Sequence, residues 1–182
     1  MTELLCEEKT VKAPKKERMD APLCVCFVCT GNTCRSPMAA AVANALAEEA
    51  VKGFPDSVRD CVTRRLESFS AGLYAEEGDP ISAHAVEALE AAEVASVAGR
   101  DYHRHTAHTV TEEDVVRADV LVGMSGSHAM ELMMRFPVAA KKIVCMPKPI
   151  SDPFGGDSAR YQACLAEITD GVKRLFFEGA GV

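Results

Sequence analysis

Leu23-Cys24-Val25-Cys26-Phe27-Val28-Cys29-Thr30-Gly31-Asn32-Thr33-Cys34-Arg35-Ser36-Pro37 decides how this chain is built. Its first seven residues are apolar, carry several strand formers and lack polar alternation, as in a parallel strand buried on both faces. Ser36 and Pro37 supply a helix N-cap and then a first helical residue whose missing N–H costs nothing there. Met38, Ala41, Val42, Ala45 and Leu46 follow at the helical period. A strand, a tight loop and a helix lying on a sheet are therefore read directly.

Working outward, Phe69 to Gly72, Asp119 to Met124 and Lys142 to Met146 read as further strands. Ser82 to Val94 reads as a helix with Ala85, Val86, Leu89 and Ala92 inward, and Ser127 to Phe136 as another. After an Asp157/Ser158 cap the last helix carries Tyr161, Cys164, Leu165, Ile168, Val172, Leu175 and Phe176 in one stripe, ending near Gly179. Met124, Met130, Met133 and Met134 read as core filling. Strands alternating with helices imply right-handed crossovers and a parallel α/β sheet covered on both faces.

The 182 residues are 48% hydrophobic and 26% charged, enough for one domain with a real core. Residues 1–22 have balanced charge, few large apolar groups, and Pro14 and Pro22, and read as a solvated extension; residues 23–182 read as the domain. A net charge of −7 argues against a nucleic-acid-binding body. No apolar run approaches the roughly 20 residues of a membrane-spanning helix, and Met1 to Asp20 lacks a secretory h-region, so the expectation is a cytoplasmic protein. The eight cysteines are too irregularly spaced for a disulfide framework and are expected to be thiols.

The chemistry concentrates in Cys29 to Ser36. Backbone N–H groups of a tight turn entering a helix converge on a concave, positive site suited to a phosphoryl dianion. Gly31 and Asn32 are residue types that tolerate a left-handed backbone. Arg35, five residues beyond the loop's first threonine, adds a planar fork for two phosphoryl oxygens. The same field, with a hydroxyl such as that of Ser36, favours the Cys29 thiolate and makes it a nucleophile without a histidine base. Asp152, in Ser151-Asp152-Pro153-Phe154-Gly155-Gly156 after the last strand, is the candidate general acid, and Phe154 offers an aromatic wall.

The string Cys29-x-Gly31-Asn32-x-Cys34-Arg35-Ser36-Pro37, with the distant Asp152-Pro153, resembles the low-molecular-weight protein tyrosine phosphatase family over about residues 23 to 178. That resemblance implies a three-layer fold with a four-stranded parallel sheet in the order 2-1-3-4, no metal, and a phosphocysteine intermediate. It makes Cys29 the nucleophile, Arg35 the phosphate clamp, and Asp152 first the acid and then the base that activates water. Asn32 and Ser36 would support the loop and the thiolate, while Thr30, Gly31, Thr33, Cys34 and Phe154 complete the substrate site. Thr33 makes the string similar to the protein-arginine-phosphatase branch, since tyrosine-directed relatives usually have an aliphatic residue there. The implied substrates are phosphorylated proteins, acted on by a monomer.

Other readings weigh less. Cys24 and Cys26 share a strand face and are expected in the interior; as metal ligands or a redox pair with Cys29 they would be spread by the strand. His103, His105 and His108 read as a polar loop rather than a metal cluster. Arsenate reductases share the fold, but their resolving cysteines have no counterpart in Ser125 to Pro137. Neither nucleotide-binding fingerprint occurs, and no cofactor is implied. Cys34, in the same loop as Cys29, is a candidate for a peroxide-driven disulfide with it.

Overall fold

A computed structural model of the chain describes residues 22–52 and 66–178. Except for Pro22, the extension expected at residues 1–22 lies outside the described residues. In chain order the elements are β1 (Leu23–Cys29), α1 (Arg35–Val51), β2 (Leu66–Gly72), α2 (Ala83–Ala91), α3 (Glu112–Arg117), β3 (Val120–Gly123), α4 (Gly126–Arg135), β4 (Ile143–Cys145) and α5 (Ser158–Phe176). The four strands form one parallel sheet in the order β2-β1-β3-β4.

β1 is buried on both faces, as its unbroken apolar run requires. Val25, Phe27 and Cys29 join one core with Met38 of α1, Leu89 of α2 and Ile168 and Val172 of α5. Cys26 and Val28 join the opposite core with Leu121 of β3, Val115 of α3 and Leu132 of α4. Phe27 is fully buried and meets the Phe176 ring edge-on at 6.2 Å. Cys24, at the open end of the strand, is only half-buried, unlike Cys26.

The register fixes where chemistry can occur. Cys29 pairs with Gly72, Val28 with Gly123, and Gly123 with Cys145, so all four strands end at one edge. The chain leaves β1 for β2 on one side and returns to β3 on the other. β1 therefore ends at the topological switch point, where the loops on its two sides diverge and leave a crevice.

Several boundaries differ from the sequence reading. α1 begins at Arg35, with Cys34 in the cap position and no side-chain cap bond. Ser36 is not the cap because its hydroxyl is used inside the loop, as described below. Pro37 still falls in the first turn, where an N–H has no intrahelical partner. β2 extends back to Leu66 because it pairs residue for residue with β1 from Leu23 onward, and pairing overrides the weak strand preference of Leu-Glu-Ser. Ala92 is exposed, since α2 stops at Ala91 and Glu93 turns left-handed at φ 54°; Ala88 faces inward instead.

Of the four methionines read as core filling, only Met124 is. Met130, Met133 and Met134 lie on the outer face of α4, which buries His128, Ala129 and Leu132. Helix α3 was not anticipated, although Thr111-x-x-Asp114 is a capping box with both reciprocal bonds present.

Candidate active site

The loop between β1 and α1 is shaped by where its carbonyls go. Leu73 N donates to Cys29 O at 2.8 Å, Tyr74 N to Thr30 O at 2.9 Å, Ser82 N to Thr33 O at 2.8 Å and Met38 N to Cys34 O at 3.2 Å. His105 Nε2 donates to Asn32 O at 2.8 Å. With the carbonyls held outward by the scaffold, the amides turn the other way. Among the described residues no protein acceptor takes the N–H groups of residues 31–35, so they form a nest of donors at the N-terminus of α1.

Asn32 is the pivot. It is fully buried, with φ 56°, the left-handed conformation that asparagine tolerates. Its Nδ2 donates to Ser36 Oγ at 3.0 Å and to Ser70 Oγ at 2.9 Å, while Oδ1 accepts from His108 N at 3.1 Å. Those partners fix the amide's orientation and use both of its donors. Gly31 has no positive φ, and a Cβ there would meet nothing nearer than Thr33 Oγ1 at 3.9 Å, so the left-handed turn falls on Asn32 alone.

Cys29 Sγ lies 3.0 Å from Ser36 Oγ, and the residue is 2% exposed. The hydroxyl suits either protonation state of the sulfur. As a thiol, Cys29 gives its hydrogen to Ser36 Oγ, which gives its own to Ala71 O at 3.3 Å. As a thiolate, Cys29 receives the Ser36 hydrogen, while Asn32 Nδ2 continues to donate to Oγ and strengthens it as a donor.

Arg35, the first residue of α1, reaches across the cleft. Its Nη2 donates to Asp152 Oδ2 at 2.7 Å and to Thr30 Oγ1 at 3.4 Å. Its Nε is buried without a hydrogen-bond partner, alone among the buried side-chain nitrogens and oxygens of the described residues. A guanidinium N–H is costly to bury unsatisfied, so this atom marks a place built for an acceptor.

Asp152 comes in on the loop after β4 and is about half exposed, with Oδ1 accepting from Phe154 N at 3.2 Å. Cys29, Thr30, Gly31, Thr33, Cys34, Arg35, Asp152 and Phe154 line one cleft of about 240 Å³. All the residues read as the site thus gather there except Asn32 and Ser36, which brace it from behind. Cys34 turns its Sγ toward Tyr161 OH, 3.2 Å away on α5.

The chain matches the family model described as low molecular weight phosphotyrosine protein phosphatase over residues 24–180. The chain belongs to that family. A protein-arginine-phosphatase of Geobacillus stearothermophilus is 31% identical over 161 residues, covering 85% of this chain and 94% of that one. A probable low molecular weight protein-tyrosine-phosphatase, EpsP of Ralstonia solanacearum, is 30% identical over 152 residues, covering 81% and 90%. A solved low molecular weight protein tyrosine phosphatase from T. tengcongensis superposes with a TM-score of 0.71 at 33% identity, covering 84% and 97%. The protein is a low molecular weight protein phosphatase with phosphoprotein substrates, and the family resemblance read from the loop holds. No helix among its described residues is long and apolar enough to cross a membrane.

Sequence reasoning missed much of this phosphatase's supporting shell. His105 and His108, read as a polar loop, hold Asn32 from both its carbonyl and its side chain. Burial is the main cause that pushes the His105 imidazole below its ordinary value, which keeps it a neutral donor. Within the same histidine run, His103 is instead engaged by Asp101 and Glu90 on the surface. Ser70 could have been suspected because it and Ser68 put two buried hydroxyls on one face of β2.

Gly72 was also missed. A Cβ there would lie 2.8 Å from Thr30 O and 3.1 Å from Asn32 Cβ. Gly72→Ala is expected to push the loop off its geometry and lower kcat/KM by about 10²-fold, since misplacement of this order disrupts positioned groups. Steady-state kinetics beside a thermal melt checks it. A folded, fully active variant would show the loop to be compliant.

Proposed function

We propose that this phosphatase removes the phosphoryl group from phosphoarginine in proteins through a phosphocysteine intermediate. The observation that carries the chemistry is the convergence, in one cleft, of Cys29 Sγ on Ser36 Oγ, the unclaimed N–H groups of residues 31–35, and the unpartnered Arg35 Nε. The phosphoryl oxygens are taken by the nest and by Arg35, whose contacts strengthen as those oxygens gain charge. Cys29 Sγ attacks phosphorus as the P–N bond breaks, and the departing guanidine nitrogen receives a proton from Asp152. The Asp152 carboxylate then takes a proton from water as the water oxygen attacks phosphorus. The S–P bond breaks, and inorganic phosphate leaves with the thiolate restored.

The phosphoarginine assignment is supported by Thr33 on the cleft wall and by the arginine-phosphatase relatives. Threonine leaves less apolar surface and adds a hydroxyl beside the phosphoryl site, which suits a polar guanidinium. The second reading, phosphotyrosine, is supported by Phe154, 76% exposed beside Asp152, and by a probable tyrosine-phosphatase relative at 30% identity. Hydrolysis of matched phosphoarginine and phosphotyrosine peptides decides between them. Thr33→Ile is expected to shift the ratio of the two kcat/KM values about tenfold toward phosphotyrosine, the order of effect of a small change in pocket chemistry. An unmoved ratio would remove Thr33 as the discriminator. We place the enzyme in the cytoplasm, a reducing compartment in which its cysteines stay thiols.

A further inference from the structure

One buried titratable side chain near the cleft is unused by this mechanism. His128, in the first turn of α4, is 7% exposed. Its Nε2 lies 3.1 Å from Thr30 Oγ1, and its Nδ1 lies 2.6 Å from Ser125 Oγ, the hydroxyl that caps the helix. Thr30 Oγ1 in turn receives Arg35 Nη2. The helix after β3 is thus joined, through a single hydroxyl, to the guanidinium on the far side of the nest.

The hydrogens assign a direction to this chain. Arg35 Nη2 can only donate, so Thr30 Oγ1 accepts from it. The hydrogen on Thr30 has one protein acceptor among the described residues, His128 Nε2. In the tautomer that uses this hydrogen, His128 Nε2 is bare, with its proton on Nδ1 and directed to Ser125 Oγ. Ser125 Oγ passes its own hydrogen to Ser127 Oγ at 2.7 Å. In that sense every group in the run has a protein partner.

We infer that His128 is a positioning residue for the phosphatase reaction: by accepting the Thr30 hydroxyl hydrogen, it turns an oxygen lone pair toward Arg35 and fixes the clamp for the phosphoryl oxygens. A neutral ring is what this requires. Burial first and the Arg35 charge second push the His128 imidazole below its ordinary value, outweighing the opposite pull of Asp152 and Glu131. The long 3.4 Å Arg35–Thr30 contact is the weak link of the chain, and so the one that a misdirected hydroxyl would lose.

The inference rests on Arg35 as the phosphoryl clamp, and the test separates the two. His128→Leu and Thr30→Val are each expected to lower kcat about tenfold with a smaller change in KM, as loss of one bond to a charged group implies. Each should weaken inhibition by vanadate, a mimic of the five-coordinate transition state, several-fold more than inhibition by phosphate. The double variant should be no worse than the poorer single one, because both break the same chain. His128→Gln, which can place an amide oxygen near the position of Nε2, should recover most of the lost kcat.

Additive losses, or an unchanged vanadate-to-phosphate ratio in the folded variants, would overturn the role of His128. Thr30→Val lies outside α4 and keeps the test intact should His128→Leu fail to fold. Undiminished activity of Arg35→Ala would instead overturn the clamp itself.

Discussion

Cys29→Ser is expected to lower turnover by at least about 10⁴-fold, the scale on which enzymes lose rate when their nucleophile is removed. Phosphate should still bind to the variant within a few-fold. The two effects separate because they have different owners. The sulfur belongs to a residue 2% exposed and has Ser36 Oγ, itself no base, as its hydrogen-bonding partner. A serine hydroxyl in that place would find no group to take its proton. In the proposed mechanism the anion is held by the N–H groups of residues 31–35 and by Arg35, none of which the substitution touches. Rapid-quench trapping of phosphoprotein checks the first effect, and phosphate titration by calorimetry checks the second. Residual turnover above about one part in a hundred would show that the phosphoryl group does not pass through this sulfur.

Asp152→Asn is expected to act in two opposite directions. Its kcat on phosphoarginine or phosphotyrosine peptides should fall about 10²- to 10⁴-fold, the usual worth of a positioned acid. The loss should be much smaller with an aryl phosphate whose leaving group departs without a proton. Phosphate, by contrast, should inhibit the variant more strongly. In the structure Asp152 Oδ2 holds Arg35 Nη2 at 2.7 Å, so a phosphoryl oxygen competes with this carboxylate for the guanidinium. The pair is buried on the arginine side but half exposed on the aspartate side. Its worth is therefore discounted to about 1 kcal/mol, or roughly a fivefold gain in phosphate affinity. Equal losses on both kinds of leaving group would exclude Asp152 as the proton donor, and unchanged phosphate inhibition would show that the ion pair does not compete.

How much was legible follows from how local each feature is. The run from Leu23 to Pro37 holds its own strand, turn and helix start within fifteen consecutive residues, and α5 repeats its apolar stripe over five turns. Such patterns reflect backbone geometry that each segment carries with it. α4 shows the converse. Ala129, Met130, Leu132, Met133 and Met134 offer two apolar faces within ten residues, and the periodicity does not say which one meets the sheet. Only packing against β3 and β4 buries the Ala129–Leu132 side and leaves the methionines in solvent. The N-cap misreading has a related cause. A serine before a proline is a good cap, but here the helix terminus opens on the cleft and the hydroxyl is drawn to Cys29, Asn32 and Ala71.

The proposed nucleophile, the proposed clamp and the donor loop were written into eight adjacent residues, because a turn into a helix needs only its own backbone to aim its amides. The bracing of that loop was not. Ser70, His105, His108, His128 and Tyr161 stand between 38 and 127 positions from the loop residues they hold. Parallel strands joined by crossovers bring distant segments to one edge, and which side chains then meet depends on register and helix rotation rather than on any spacing along the chain.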